Sequence, residues 1–252
     1  MKTKLVSPSI ALLSTFLTVW ASLFAANAKA VEEFSQVKES SARVSFVPRS
    51  DTPSPRQTGS GASRRNLPGV CDGLPVLPEN GLGLTANSSP SLFVYFSQGT
   101  TVEKAQLTLK SLDENESEYY ETIVVLPQEQ LAEKGGVVAF EIPEVDSELI
   151  MNQEYAWSLV LMCEGQLRPD SPILTGSLKR VDDLAVSTQA VGAPLVERAI
   201  AYGEAGIWYD LLSTLVTIRS EEAGSGVFDE YWSSVMGTVG LDFIASEPLI
   251  TE

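Results

Sequence analysis

The sequence predicts an antiparallel β-sandwich followed by a small C-terminal helical segment. Two observations carry that expectation. Between residues 91 and 181, short apolar runs recur with turn signals between them, and several alternate with a period of two. From Leu195 onward, apolar residues instead recur at three, four or seven positions, which is helical spacing.

The elements follow in chain order. Lys2 and Lys4 give a positive start, and residues 10–26 are apolar apart from Ser14, Thr15, Thr18 and Ser22. Ala28-Lys29-Ala30 then places small residues where a signal peptidase reads. Residues 1–30 therefore read as a secretory signal peptide cut before Val31. The alternative is a retained anchor, because about 17 apolar residues approach the length that spans a bilayer. Residues 31–70 read as a disordered arm, with Pro48, Pro53, Pro55 and Pro68 set among Ser, Thr and Gly.

Residues 71–182 read as the sandwich domain. Ser91-Leu92-Phe93-Val94-Tyr95-Phe96 is apolar and aromatic, as a buried strand is. Ala105, Leu107 and Leu109 alternate with Gln106, Thr108 and Lys110, giving one face in and one face out. Residues 119–126 form another run, stopped by Pro127. Val138, Phe140 and Ile142 alternate after Gly135-Gly136, and Pro143 ends them. Tyr155, Trp157, Leu159, Leu161 and Cys163 share one face of the next strand, and residues 173–181 make the last. Strands so spaced, with no helix between them, argue an antiparallel sandwich. Leu149 lies six residues before Tyr155, and Trp157 follows. That spacing resembles the tyrosine corner of immunoglobulin- and fibronectin-like sandwiches, so Leu149, Tyr155 and Trp157 read as structural. Cys71 and Cys163 are the two thiols. In an oxidising compartment they pair into a structural disulfide; two buried free cysteines are the alternative.

Residues 183–252 read as helical. Leu195, Ala199, Tyr202, Tyr209, Leu212 and Val216 mark the buried face, and Gly203 and Gly206 break it into two short helices. A further helix is expected over residues 228–245, with Pro248 beyond its end. The order Ala201-Tyr202, Gly206, Trp208, Leu212 resembles the core of a tetratricopeptide repeat, and a simple helical hairpin is the alternative.

Charge divides the chain. Over 252 residues there are 33 acidic and 17 basic side chains and no histidine. Removal of residues 1–30 leaves 14 basic against 33 acidic, a net charge of −19. Residues 34–70 carry six basic and two acidic side chains, whereas the chain from Cys71 carries 8 and 29. A body so acidic repels nucleic-acid phosphate, whereas the basic arm, with Arg64 and Arg65, reads either as a solvated tail or as an arm that lies on its own acidic body or grips an anionic envelope polymer.

The missing histidine removes Ser-His-Asp and Cys-His catalysis and His-ligated zinc or haem. Two cysteines cannot build a four-thiolate metal site. Glycine-rich phosphate loops and the Gly-x-Ser-x-Gly elbow do not occur. Asp113-Glu114-Asn115-Glu116-Ser117 mimics the start of a calcium loop, but Glu118 and Val124 stand where the turn glycine and the bidentate Glu belong, which excludes an EF-hand. No cofactor and no metal are expected.

The chain also resembles a cyanobacterial family of exported proteins known as domain of unknown function 928. The resemblance is carried by Gly59-Ser60-Gly61-Ala62-Ser63-Arg64-Arg65 before Cys71, by Leu84-Thr85 and Pro90-Ser91-Leu92-Phe93, and by Tyr155-Ala156-Trp157 leading to Cys163. It continues through Gly176 to Arg180-Val181 and through Gly206-Ile207-Trp208-Tyr209-Asp210-Leu211-Leu212. It implies export and a β-then-α layout and supplies no activity. The expectation is thus a periplasmic or envelope-associated binding or scaffolding module without catalytic activity, with a protein or envelope-polymer partner. Arg64, Arg65, Trp208, Tyr209 and Asp210 are its candidate contacts, with packing between the helices and the sandwich as the alternative, and the favoured reading for Trp208. The alternative is a carboxylate-dependent glycan hydrolase.

Overall fold

Alternating and continuous apolar runs satisfy their backbone groups by pairing into sheets, and here they form two. The computed structural model describes residues 43–49, 69–113, 119–142, 149–182, 186, 192–221 and 226–250. The strands are β1 (Leu74–Pro75), β2 (Leu82–Thr85), β3 (Ser91–Phe96), β4 (Val102–Ser111), β5 (Tyr119–Val125), β6 (Gly136–Glu141), β7 (Glu154–Cys163), β8 (Ile173–Arg180) and β9 (Leu249–Ile250). One sheet runs β1-β3-β6-β9 and the other β2-β8-β7-β4-β5. The helices are α1 (Gln128–Lys134), α2 (Leu195–Glu204), α3 (Trp208–Glu221) and α4 (Val227–Thr238), with a 3-10 turn at Asp242–Ile244. Among the described residues, no helix is long and apolar enough to cross a membrane. Residues 1–30 lie outside the described residues.

The period-two segments explain the five-stranded sheet. Ala105, Leu107 and Leu109 of β4 stand opposite Leu161, Leu159 and Trp157 of β7, so both strands turn their apolar side chains to the same face. Burial of Leu92 through Phe96 on both faces of β3 accounts for its unbroken apolar run.

Four features differ from the sequence expectation. Helix α1 lies between β5 and β6, where none was expected; Pro127 ends the strand run and Leu131 anchors one face of the helix in the core. The pairing is mixed, because β2 runs parallel to β8 and β9 parallel to β6. Strands β1 and β9 are two residues long, too short to show a period. The last expected helix is also shorter. It ends at Thr238, and Gly240, at φ +72°, redirects the chain into the 3-10 turn.

Helices and sheets share one hydrophobic core, in which Trp208, Tyr209, Leu212 and Trp232 join Trp157, Phe93 and Leu159. Residues 43–49, placed by sequence in the disordered arm, also belong to it. Val44 and Phe46 are buried, and the Phe46 ring meets Trp208 edge-on at 4.8 Å between centroids. Val47 N–H donates to the Gly203 carbonyl (3.0 Å) and Arg49 Nε to the Ala205 carbonyl (2.6 Å). This strap explains the glycines that break the helical pattern. A side chain at Gly203 would collide with the Ser45 carbonyl oxygen, and Gly206 sits at φ +68° under the Val47 carbonyl. Residues 50–68 lie outside the described residues.

Cys71 and Cys163 form a disulfide with their Cα atoms 5.8 Å apart, closing 92 residues. Such a loop contributes about 4–5 kcal/mol in the chain-entropy account. At the entry to β7, Ile150 N–H donates to Tyr155 Oη (2.9 Å) and Arg180 Nη1 donates to the Leu149 carbonyl (2.6 Å). Leu149, Tyr155 and Trp157 are all buried.

Because the strap leaves no room for a side chain, Gly203→Ala is expected to destabilise the fold by on the order of 3 kcal/mol. A thermal melt checks this. An unchanged midpoint would show that residues 43–49 do not press on α2.

Candidate functional site

Helix α3 begins at the glycine break, and its first residues reach three different parts of the body. Trp208 Nε1 donates to the Val76 carbonyl at 3.0 Å. Tyr209 lies over Gly83 of β2, where any Cβ would overlap its ring. The Tyr209 hydroxyl accepts from Trp157 Nε1 (3.1 Å) and donates to the Ser177 carbonyl (3.3 Å). Desolvation raises the Tyr209 pKa far above the ordinary tyrosine value, so the hydroxyl remains a neutral donor and acceptor.

Asp210 follows in the first turn. Its Oδ2 accepts from Thr85 Oγ1 (2.8 Å) and Ala86 N–H (3.0 Å), tying the end of β2 to the start of α3. Burial pushes the Asp210 carboxyl above its ordinary value, and the bonds from Thr85 and Ala86 offset part of that rise.

Next to this tie lies a cavity of about 260 Å3, whose lining includes Thr85, Asn87, Arg198, Tyr202, Asp210 and Ser213. Arg198 Nε is shielded from solvent and has no hydrogen-bond partner among the described residues. Burial, then the charge of Asp210, raises the Tyr202 pKa, while the Arg198 charge opposes the shift. Thr214 and Thr217 donate their hydroxyls to the Asp210 and Ser213 carbonyls (2.7 and 3.0 Å), leaving oxygen lone pairs on the lining. The cavity can therefore offer a cation, a carboxylate, hydroxyls and the Tyr202 ring to one small ligand.

A larger groove of about 600 Å3 adjoins it, since Ser213 and Thr217 line both. Its wall is mostly apolar, with Phe93, Val124, Val138, Val216 and Ile250, and Glu141 is its one carboxylate among the described residues.

Of the candidate contacts from sequence, Asp210 lines the polar cavity. Trp208 and Tyr209 do not present an interaction surface: they are 0% and 1% exposed, and they hold α3 to the sheets. Arg64 and Arg65 lie outside the described residues, as do Glu114 through Glu118 of the calcium-like segment. Sequence reasoning missed Arg198 as a site residue. The available signal was a polar stripe at helical spacing: Arg198 and Tyr202 four apart on α2, then Asp210, Ser213, Thr214 and Thr217 on α3.

The raised Asp210 pKa has a definite sign. The folded state binds its proton more tightly than the unfolded state, so stability falls as pH rises from the ordinary carboxyl value through the raised one. Asp210→Asn keeps an acceptor for Thr85 and Ala86 without the buried charge. It is expected to raise the melting temperature at pH 7, with the gain shrinking as the pH falls toward 4. A lower melting temperature at pH 7 would show that the carboxylate stabilises the fold.

No curated protein matches the chain. The model of one family, Domain of Unknown Function (DUF928), matches residues 60–249, a span that holds strands β1 to β8, the disulfide and the described residues of the polar cavity. The chain belongs to the DUF928 family.

Proposed function

We propose that this protein is an exported, envelope-associated binding module without catalytic activity, and that its ligand sits in the polar cavity between β2 and helices α2 and α3. The observation that carries this reading is that Asp210 and Arg198 line one small space without pairing: a carboxylate kept against its own burial, and a guanidinium whose shielded Nε has no partner among the described residues. Titratable groups kept against a burial penalty cluster where a protein works.

A two-carboxylate hydrolase needs acids about 5–10 Å apart across its substrate. Among the described residues, Asp210 is the one carboxylate lining the polar cavity and Glu141 the one lining the groove, which favours binding over hydrolysis. Export is supported by the first thirty residues together with the disulfide. Arg64 and Arg65 on the basic arm suit an anionic envelope polymer. We read the two sheets as an immunoglobulin/fibronectin-like sandwich from the Tyr155 corner, and α2 with α3 as a tetratricopeptide-like hairpin from Tyr202, Gly206, Trp208 and Leu212.

Co-sedimentation of the secreted protein with the insoluble envelope fraction tests the reading. The wild type is expected in the pellet and the Arg198→Gln/Asp210→Asn double variant in the supernatant, with no soluble carbohydrate released. Equal sedimentation of both proteins, or release of soluble sugar by the wild type, would contradict it.

A further inference from the structure

We infer that the polar cavity takes a hydroxylated monocarboxylate, a sugar acid of the uronate type, with its carboxylate on Arg198 and its hydroxyls on Asp210 and the neighbouring side chains. The inference rests on the cavity being the ligand site, and it names the ligand class. Arg198 supplies the first constraint. Its guanidinium forms no ion pair among the described residues, and Nε is sealed from solvent without a partner. A planar guanidinium matches a planar carboxylate with two parallel N–H···O bonds. The cation is the unmet charge of the cavity, because the Asp210 carboxylate already accepts from Thr85 and Ala86.

Asp210 supplies the second constraint. A carboxylate accepts more than two hydrogen bonds, so a ligand lying against it must bring donors. A ligand anion beside Asp210 is also repelled, which favours a single negative charge on the far side and hydroxyls on the near side. Phosphate, close to a dianion, fits this field worse, and the acidic body of the protein adds to that preference. The Tyr202 and Ser213 hydroxyls carry no partner among the described residues and are free to donate or accept. The Tyr202 ring and Pro90 give the apolar wall that a sugar ring needs. A volume of about 260 Å3 lies just under the range of drug-sized sites, roughly 300–1,000 Å3, and so admits one sugar unit.

Titration calorimetry of the secreted protein with D-galacturonate, D-galactose and inorganic phosphate tests the assignment. Galacturonate is expected to bind about tenfold or more tighter than galactose, the usual worth of a charged hydrogen-bonded pair. Arg198→Gln should erase that preference by weakening galacturonate to the level of galactose, while Asp210→Asn should weaken both sugars. Near-ultraviolet circular dichroism confirms that each variant is folded. Galactose binding as tightly as galacturonate, or phosphate binding as tightly as either, would overturn the sugar-acid assignment. If Asp210→Asn still weakened binding, the cavity would stand as the ligand site for another class. If none of the three probes bound, the sugar-acid assignment would be wrong, and co-sedimentation of the double variant would judge the cavity separately.

Discussion

The architecture depends on one contact: the Tyr209 ring lying on the bare backbone of Gly83 while its hydroxyl bridges Trp157 and Ser177. Three elements meet there, β2, β7 and β8, and the fourth partner is the helix that carries Tyr209. Removing that much aromatic surface from water contributes a few kcal/mol, on the order of what a buried large side chain supplies. The hydroxyl answers the buried indole N–H, which otherwise carries the penalty of an unmade bond. Helices and strands in this chain are therefore parts of one core and not neighbouring domains.

That contact also positions the polar cavity. Once Tyr209 is fixed, the next residue of the helix must face the end of β2, and it is an aspartate. Thr85 and Ala86 hold it, yet burial still raises its pKa, so the fold alone gains little from a charge at this position. Arg198, one helix away, shows the same tension through a sealed Nε with no partner among the described residues. A purely structural seam would be filled with apolar side chains, as the adjoining groove largely is. The polar cavity departs from that pattern where two helices and a strand end converge.

Much of the fold was legible in the sequence because long strands carry long patterns. Ten residues of β7, with Tyr155, Trp157, Leu159 and Leu161 on one face, leave no doubt about their period. Two-residue strands leave no pattern, and the parallel pairing of β2 with β8 is set by tertiary contact, chiefly the fit of Gly83 beneath Tyr209. Gly203 was legible as a helix break but not as the seat of a strap, since its partner Ser45 lies far away in sequence within a stretch that reads as a linker. The site was half legible. Asp210 stood out beside the break, whereas Arg198 looked like any solvated helix cation until α2 and α3 were brought together with β2.

The strap, the disulfide and the Tyr209 contact all act to make residues 43–49, the two sheets and helices α2 and α3 one cooperative body. Native-state hydrogen exchange measures that unity most directly. The account predicts that the slowest amides of α3, around Leu212 and Leu215, exchange with the same opening free energy as those of β7, around Trp157 and Leu159. Opening of α3 several kcal/mol below β7 would contradict it, because the helices would then be a separable appendage and the cavity a seam between independent parts.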